Sequence, residues 1–558
     1  MVRRILGRIA APIRGLHQAA YLLAALTLAS QVLALVRDRT FAHVFGAGRT
    51  LDLYYAAFRM PDIVFALVSS LVSAYVIIPY ITNLDREKTR ELLSESATFL
   101  LGAGGAICVV LAIFMPQLLT FLYPDFAASA QYSSFILLAR ILLIQPILLG
   151  LSGVISSVTQ VHRRFLLFAV SPVLYNLGII LGTVALYPIF GLSGIGIGVV
   201  LGAIGYLAVH IPVVVKAGVF PRFSLPTMKR MVPIVRNSVP RSLALSVNSF
   251  TLLALTAIAS RLATGDISVF TLAGNLEAVP LALIGSSYSV AAFPALSEAG
   301  EKEDRAEFTG ILSTAARHII IWSLVALGLV AVLRAHIVRV ILGSGAFGWD
   351  ATRLTAALLA IAMVGLVVDA LELLFSRALY AIRQSWWPLA YQLATAVLTI
   401  GLASLFLILP ADRFAAPLAA LLRVSDVPGT NILLLALANV VGQFFLVGLS
   451  IVVLRKTAPG LARALLLPAR DGLAAGIAGG AVAYVVLSFM GGIAPLTTSL
   501  AVLSQGLAAG VAGLAAAAIT LHLLGNEEFR TMVAAAERLW RERCGGANVL
   551  KPSGEDLL

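Results

Sequence analysis

Charged side chains stand in or beside an apolar run near the start of the chain, 37-RDRTFAHVFGAGRTLDLYYAAFRMPDIVFALVSSLVSAYVIIPYI-81. They are Arg37, Asp38, Asp52, Arg59 and Asp62. A charge at the centre of a bilayer costs roughly 2.5–3.5 kcal/mol, so it is retained where it faces water or a partner. Asp52 and Arg59 share a helix face by their spacing, whereas Arg59 and Asp62 are close enough to pair. Two interpretations follow: a cavity wall whose cation meets an anionic substrate, or an Arg59 that is tied up by Asp62 at a kink near Pro61.

Further charges lie in later apolar segments. Arg140 is flanked on both sides by apolar residues, in 136-ILLARILLIQP-146, and either faces a cavity or pairs with a carboxylate. In the second half of the chain, Asp369 and Glu372 share one helix face, and Glu277 lies in another apolar segment. Carboxylates so placed suit coupling to a proton or a cation, the alternative being charge balance with an arginine. The excess of embedded arginine in the first half would suit an anionic headgroup.

Composition assigns the chain to the membrane. Of its 558 residues, 60% are hydrophobic and 12% are charged, against about 25% charged residues in soluble domains. The net charge of +13 is explained by basic loops on one side of the membrane, and no motif indicates nucleic-acid binding. Cys108 and Cys544 are the only cysteines, which argues against a disulfide framework or a metal site. No nucleophile elbow, zinc motif or phosphate loop is present, so we expect a protein that is not an enzyme and has no cofactor.

Hydropathy predicts an all-α polytopic membrane protein with about fourteen transmembrane helices, since about 20 apolar residues cross a bilayer. An even number places both ends on one side, and Lys and Arg are concentrated in the loops of that side, including Arg3, Arg4, Arg8 and Arg14 of the N-terminal tail. Both termini are therefore predicted to be cytoplasmic. The predicted segments are 17–36, 51–81, 93–122, 132–159, 165–187, 191–215, 238–262, 267–296, 309–342, 351–380, 386–410, 430–454, 470–490 and 498–523.

A repeat relates the two halves of the chain. Pro79 and Pro294 lie 215 positions apart, and Pro172 and Pro388 lie 216 apart, in 171-SPVLYN-176 and 387-WPLAYQ-392. Two anchors at nearly one offset indicate six spans repeated in parallel, with a central cavity that is exposed to one side and then the other.

The repeat divides the chain into four predicted parts. Residues 1–221 form an N-terminal lobe, and residues 222–458 form a C-terminal lobe that begins with an interfacial linker. Residues 459–524 contain two extra helices. Residues 525–558 form a cytoplasmic tail, in which 527–543 is a charged amphipathic helix that solvent is expected to surround.

The run 37-RDRTFAHVFGAGRTLDLYYAAFRMPD-62 resembles the MurJ/MviN lipid II flippase family of the multidrug/oligosaccharidyl-lipid/polysaccharide exporter superfamily. Further similarity lies in 171-SPVLYN-176, 291-AAFPALS-297 and 342-LGSGAFGWDATRLTAALLA-360, and it extends over residues 20–455. The resemblance implies a flippase of the bacterial inner membrane. It would move lipid II, the lipid-linked peptidoglycan precursor, from the inner to the outer leaflet.

The resemblance also implies how the substrate would be bound and how transport would be driven. Cavity arginines would meet the diphosphate, the last two helices would form a groove for the lipid tail, and membrane potential, H⁺ or Na⁺ would supply energy. Membrane lipids and cell-wall synthesis proteins are the further partners expected.

Several positions depart from the family pattern. Arg37 and Asp52 fall on the family's functional arginine and aspartate, and Arg59 keeps a usual cation. Other charged family positions hold uncharged residues here, namely Gln31, Phe65, Ser70 and Asn275. The predicted diphosphate-binding residues are Arg37, Arg59, Asp52 and Arg140, the last as a replacement cation. The predicted supporting residues are Asp38, Asp62, Gln31 and Asn275, and the coupling candidates are Asp369, Glu372 and Glu277.

Three alternatives remain open from the sequence. The chain could export another polyprenyl-diphosphate-linked glycan, or it could be a drug/cation antiporter. An antiporter would have a carboxylate-dominated cavity with no need for Arg37 and Arg59. The third alternative is a non-transporting membrane scaffold, which the missing family arginines favour.

Overall fold

The structure, a computed structural model, describes residues 16–82, 84–162, 164–491 and 498–544. The basic N-terminal residues up to Arg14 and the tail residues 545–558 lie outside these ranges. Within them every regular element is a helix, which confirms the predicted fold class.

Helices long and apolar enough to cross a membrane account for most of the described chain. Twelve of them are continuous, and the bent pair Arg49–Leu67 plus Ser69–Ile81 makes a thirteenth. The helix Leu16–Phe45, 30 residues long, brings the number to the fourteen that hydropathy predicts. In chain order they are α1 Leu16–Phe45, α2 Arg49–Leu67 with Ser69–Ile81, α3 Arg86–Leu122, α4 Tyr132–Val161, α5 Leu166–Phe190, α6 Leu192–Ala217, α7 Met228–Ala259, α8 Asp266–Glu301, α9 Arg305–Ile341, α10 Trp349–Ala381, α11 Trp386–Ile408, α12 Ile432–Leu454, α13 Leu461–Met490 and α14 Ser499–Leu523.

Two further helices lie outside the spans. A short helix, Ala411–Leu422, connects α11 to α12; hydropathy left this segment unassigned. Helix α15, Glu527–Cys544, follows α14. We call the side where α1 begins and α14 ends the terminal side, and the opposite side the far side.

The neighbour pattern of the first six spans recurs in the next six. In the first lobe α1 packs on α5, α2 on α4, and α6 on both α4 and α5. In the second lobe α7 packs on α11, α8 on α10, and α12 on both α10 and α11. Each pair in one lobe therefore has its counterpart six spans later, as parallel repeats require.

Equivalent spans are also broken at equivalent places. Helix α2 bends by about 40° after Leu67 and continues through a 3₁₀ turn at Ser69–Val72. Helix α8, the counterpart of α2, contains a wide π-helical turn at Ala282–Ser286. With the repeat offset of 215 positions, Ser69 corresponds to Ile284, which lies within that turn. One interpretation of the sequence placed a kink near Pro61, but the helix continues through that proline to Leu67. At the break, the Ser69 hydroxyl donates to the carbonyl of Pro146 on α4 at 2.9 Å.

Helices α13 and α14 pack against α9 on the outside of the second lobe. Glycines make this contact close. A Cβ at Gly328 of α9 would lie 2.1 Å from the carbonyl oxygen of Gly476 in α13, so the two backbones touch, as small residues allow in membranes.

Candidate functional site: a polar cavity between the lobes

A cavity of about 250 Å³ lies between the lobes. Arg59 of α2 lines it from the first lobe, while Asn275 and Glu277 of α8 and Gln443 of α12 line it from the second. Arg59, Asn275 and Glu277 are thus three sequence-predicted residues that one cavity brings together. Sites for drug-sized molecules measure about 300–1,000 Å³, so this cavity is smaller than a site for a drug-sized molecule.

Arg59 faces the seam between the lobes. Its Nε donates to Oγ1 of Thr256 on α7 at 2.9 Å, and its Nη1 lies 3.9 Å from Oδ2 of Asp62. Asp62 is 42% exposed, and the 3.9 Å separation is at the outer limit for an ion pair, so Asp62 holds Arg59 less closely than Thr256 does. The structure therefore places Arg59 as a cavity cation with a weak partner.

Arg37 and Asp38 form a polar chain that also joins the lobes. Arg37 donates through Nε and Nη2 to Oδ1 of Asp38 at 3.0 and 2.8 Å, and through Nη1 to Oδ1 of Asn176 on α5 at 3.1 Å. Asn275 of α8 donates to the other Asp38 oxygen at 3.0 Å. Asp38 is 2% exposed, and a buried carboxylate with these donors is paired on both oxygens.

Arg37 lines a different cavity from Arg59. This second cavity, also about 250 Å³, lies between α1 and α5 and includes Gln31 and Asn176. Arg37 and Arg59 were predicted to bind one diphosphate together. In the described conformation Arg37 and Arg59 line two different cavities.

Asp52 lies at the far-side end of α2 and does not line either cavity. Its Oδ2 accepts the backbone N–H of Gly265 at 2.6 Å, and its Oδ1 accepts the N–H and the hydroxyl of Ser268 at 2.9 and 2.6 Å. Gly265 has φ +96°, a conformation that glycine adopts without strain. The Asp52 carboxylate thereby caps the N-terminus of α8 across the lobe boundary. It is a contact between the lobes here, which differs from the predicted diphosphate-binding role.

Arg140 also lies away from both cavities. Its side chain is exposed on α4, and its Nε donates to the carbonyl of Ala112 on α3 at 2.9 Å. The hypothesis that Arg140 replaces a missing cavity cation is therefore not supported by its position, because the backbone carbonyl of a neighbouring helix holds it.

The coupling candidates form one group in the second lobe. Asp369 accepts a hydrogen bond from Nε2 of Gln443 at 2.8 Å. Glu372 accepts from the hydroxyl of Ser376 at 2.5 Å and from Nε2 of Gln392 at 3.4 Å.

Glu277 connects this group to the cavity. It lines the cavity and interacts electrostatically with Asp369. Among the described residues, nothing donates a hydrogen bond to the buried Glu277 Oε1. A buried acceptor without a donor is costly, so this oxygen is a place for a proton or a cationic group.

Sequence reasoning missed several residues at the site. Gln443 is a polar residue in the apolar run 432-ILLLALANVVGQFFLVGLSIVVL-454, and that contrast could have identified it. Thr256 and Ser268 carry no comparable signal, because hydroxyl residues are ordinary in membrane helices.

Solved structures of membrane transporters share this two-lobe helical fold. A multidrug resistance MATE family transporter of the MOP superfamily, in an inward-facing conformation, matches with TM-score 0.60, 15% identity and coverage of 80% of this chain and 99% of that chain. A structure described as lipid II flippase MurJ, inward closed conformation, matches with TM-score 0.70, 19% identity and coverage of 90% and 99%.

Sequence comparison gives the family. The model of the lipid II flippase MurJ family matches residues 41–502, and the chain belongs to that family. The lipid II flippase MurJ of Burkholderia cenocepacia is 27% identical over 317 residues, which cover 52% of this chain and 59% of that protein. A probable lipid II flippase MurJ of Thermotoga maritima is 26% identical over 381 residues, covering 67% of this chain and 76% of that protein. The matched part thus spans less than two thirds of the first of these relatives.

Proposed function

We propose that this chain is a flippase that moves lipid II from the inner to the outer leaflet of the bacterial inner membrane by alternating access. The observation that carries the proposal is Arg59, a weakly paired cation on a cavity between two lobes that touch on both sides of it. A diphosphate is the part of lipid II that such a cation attracts. The relatives' names support the lipid substrate, and the role is transport rather than catalysis.

Contacts on both sides of Arg59 support alternating access. On the far side, Asp52 joins α2 to α8. On the terminal-side half, the Ser70 hydroxyl donates to that of Ser242 on α7 at 2.7 Å. A transporter that opens to one side at a time must break one set of contacts while it keeps the other.

Orientation follows from charge. Loops on the terminal side carry most of the Lys and Arg residues, so we place that side, with both chain ends, in the cytoplasm. Membrane lipids surround the spans, and cell-wall synthesis proteins are the natural neighbours of such a flippase.

Energy would come from the proton gradient, acting through Glu277 with Asp369 and Glu372; Na⁺ and the membrane potential are the alternatives. Glu277 faces the cavity and also interacts with Asp369, so a proton bound there would change the charge that the substrate meets. Protonation would also remove the cost of burying the carboxylate without a donor.

The experiment is growth rescue in bacterial cells depleted of their own lipid II flippase. We expect the parent chain to rescue growth and Arg59→Ala to fail at matched expression. Arg455→Ala, which removes an exposed arginine at the terminal-side end of α12, is the control and should rescue. If Arg59→Ala rescues as well as the control does, the diphosphate cavity is wrong.

A multidrug or cation antiporter is the second candidate, since MATE transporters share the fold and Glu277 gives the cavity an acidic wall. This candidate predicts that expression of the chain raises resistance to amphiphilic cations while failing to rescue flippase-depleted cells.

A further inference from the structure

The segment that joins the two lobes exposes large apolar side chains. This linker comprises residues 219–232, from the end of α6 into the first turns of α7. Phe223 is 84% exposed, Leu225 74% and Met228 76%. Arg222 and Lys229, which are exposed too, stand beside them. Exposed apolar residues of this size, alternating with cations, need an explanation in a folded protein.

Polar contacts hold the first part of the linker against α3. The N–H of Arg222 donates to Oγ of Ser94 at 2.9 Å, and the N–H of Ser224 donates to Oγ1 of Thr98 at 3.2 Å. One face of the linker is therefore fixed to the helix by its backbone. The exposed side chains between these contacts are held at a defined position.

The second part of the linker is also attached to α3. The hydroxyl of Thr227 donates to Oε1 of Glu95 at 2.8 Å, and Arg230 donates to Oε2 of Glu91 at 2.8 Å. These contacts leave Arg230 paired, so Arg222 and Lys229 are the cations that face outward.

The order of these contacts shows that the linker dips along α3. The linker enters at the level of Ser94, reaches Thr98, and then returns past Glu95 to Glu91. Since a helix rises about 1.5 Å per residue, the dip covers on the order of 10 Å. Phe223 and Leu225 flank Ser224, which makes the deepest contact.

The dip points toward the hydrocarbon. Helix α3 begins with the charged stretch 86-REKTRELLSES-96 and, beyond Thr98, continues with 99-FLLGAGGAICVVLAIF-114, which contains no charged residue. Thr98 thus lies where α3 passes from the water side into the bilayer. Phe223 and Leu225 are at the bottom of the dip, and Arg222 and Lys229 are above them at the level of the charged stretch.

We propose that the linker is a lipid-binding wedge of the terminal-side leaflet. Phe223 and Leu225 insert among the upper acyl chains, and Arg222 and Lys229 contact phosphates of phospholipid headgroups. Apolar burial combined with attraction to anionic lipid is how interfacial segments bind membranes. The wedge attaches the connection between the lobes to the bilayer, so lobe movement takes place about a point that lipid holds. The proposal does not depend on the transported substrate or on which side is cytoplasmic.

Nitroxide accessibility tests the insertion. In the full chain carrying Cys108→Ala and Cys544→Ser, a spin label is attached at Leu225→Cys or, as the control on the same linker, at Lys229→Cys. The protein is placed in phosphatidylglycerol-containing nanodiscs. Oxygen concentrates in the bilayer, whereas a nickel chelate stays in water. We expect the label at 225 to be several-fold more accessible to oxygen than to the nickel chelate. The label at 229 should be more accessible to the nickel chelate than to oxygen.

Two results would overturn insertion. Equal access of nickel at 225 and 229 would place the tip in water. Low access of both reagents at 225 would show that protein, rather than lipid, covers it.

Changing the lipid composition tests whether Arg222 and Lys229 contact anionic headgroups. We expect the oxygen preference at 225 to fall several-fold when phosphatidylcholine replaces phosphatidylglycerol. The double variant Arg222→Gln and Lys229→Gln should remove this dependence. Should the dependence persist in the double variant, the assignment of these two residues to headgroup phosphate is wrong.

Discussion

Asp52 shows how one carboxylate can hold two lobes together. It accepts three hydrogen bonds, one from Gly265 just before α8 and two from Ser268 in its first turn, and its burial keeps water from replacing them. Its role could not be read from sequence, because its partners lie more than 200 positions away and two of them are backbone N–H groups.

Replacing Asp52 with Ala should lower the free energy of unfolding by about 1–3 kcal/mol, since buried donors lose their acceptor. Thermal unfolding of the detergent-solubilised protein measures this. Asp125→Ala, which changes an exposed aspartate near another far-side helix start, should change it by less than about 0.5 kcal/mol. Equal melting temperatures for the two variants would show that the cap contributes nothing.

Glu277 is the residue at which coupling can be tested. Glu277→Gln keeps the size of the side chain and removes its charge, so transport should lose its dependence on the proton gradient. Rates in proteoliposomes with and without an imposed pH difference measure this. Glu298→Gln, on the same helix but 66% exposed and paired with Lys302, is the control and should keep the dependence. An unchanged response in Glu277→Gln would exclude it as the coupling group.

At the scale of helices, the sequence predicts which membrane spans exist better than it predicts short connecting helices and bends. Fourteen apolar segments were found because a bilayer demands about 20 apolar residues for each. The short helix Ala411–Leu422 was missed because it is too short to cross. A kink near Pro61 was one interpretation of the sequence, but α2 bends near Ser69, where a hydroxyl contacts α4. A contact between helices is not visible in the local sequence.

The contact of α9 with α13 is a helix-level prediction. Gly328→Val should detach α13 from α9 and lower the melting temperature, because any side chain at 328 overlaps the backbone of Gly476. Gly310→Ala on the same helix has open space around it and should be neutral or slightly stabilising. A Gly328→Val protein that is as stable as the Gly310→Ala protein would contradict this packing.

At the scale of the whole molecule, the repeat was predictable and the cavity only partly so. Proline spacing identified two six-span copies. Which charged residues contact one another depends on how the two lobes pack together, and the repeat spacing does not predict that packing. Sequence therefore identified Arg37 and Arg59 as cavity residues, but it could not show that in this conformation they line separate cavities.

Alternating access makes one prediction for the whole molecule. The hydroxyls of Ser70 and Ser242 meet between α2 and α7, so cysteines at both positions should form a disulfide that holds the lobes together on the terminal side. The lock should be reversible by reduction, because it adds a bond without removing a cavity residue.

The measurement that tests the central claim most directly is lipid II translocation across proteoliposomes that contain this double-cysteine chain, with Cys108→Ala and Cys544→Ser. The account predicts translocation in the reduced protein, none after oxidation, and recovery when the disulfide is reduced again. The single-cysteine variants should translocate lipid II under both conditions. Translocation that continues through the fully cross-linked protein, or that is absent from the folded reduced protein, would contradict the account.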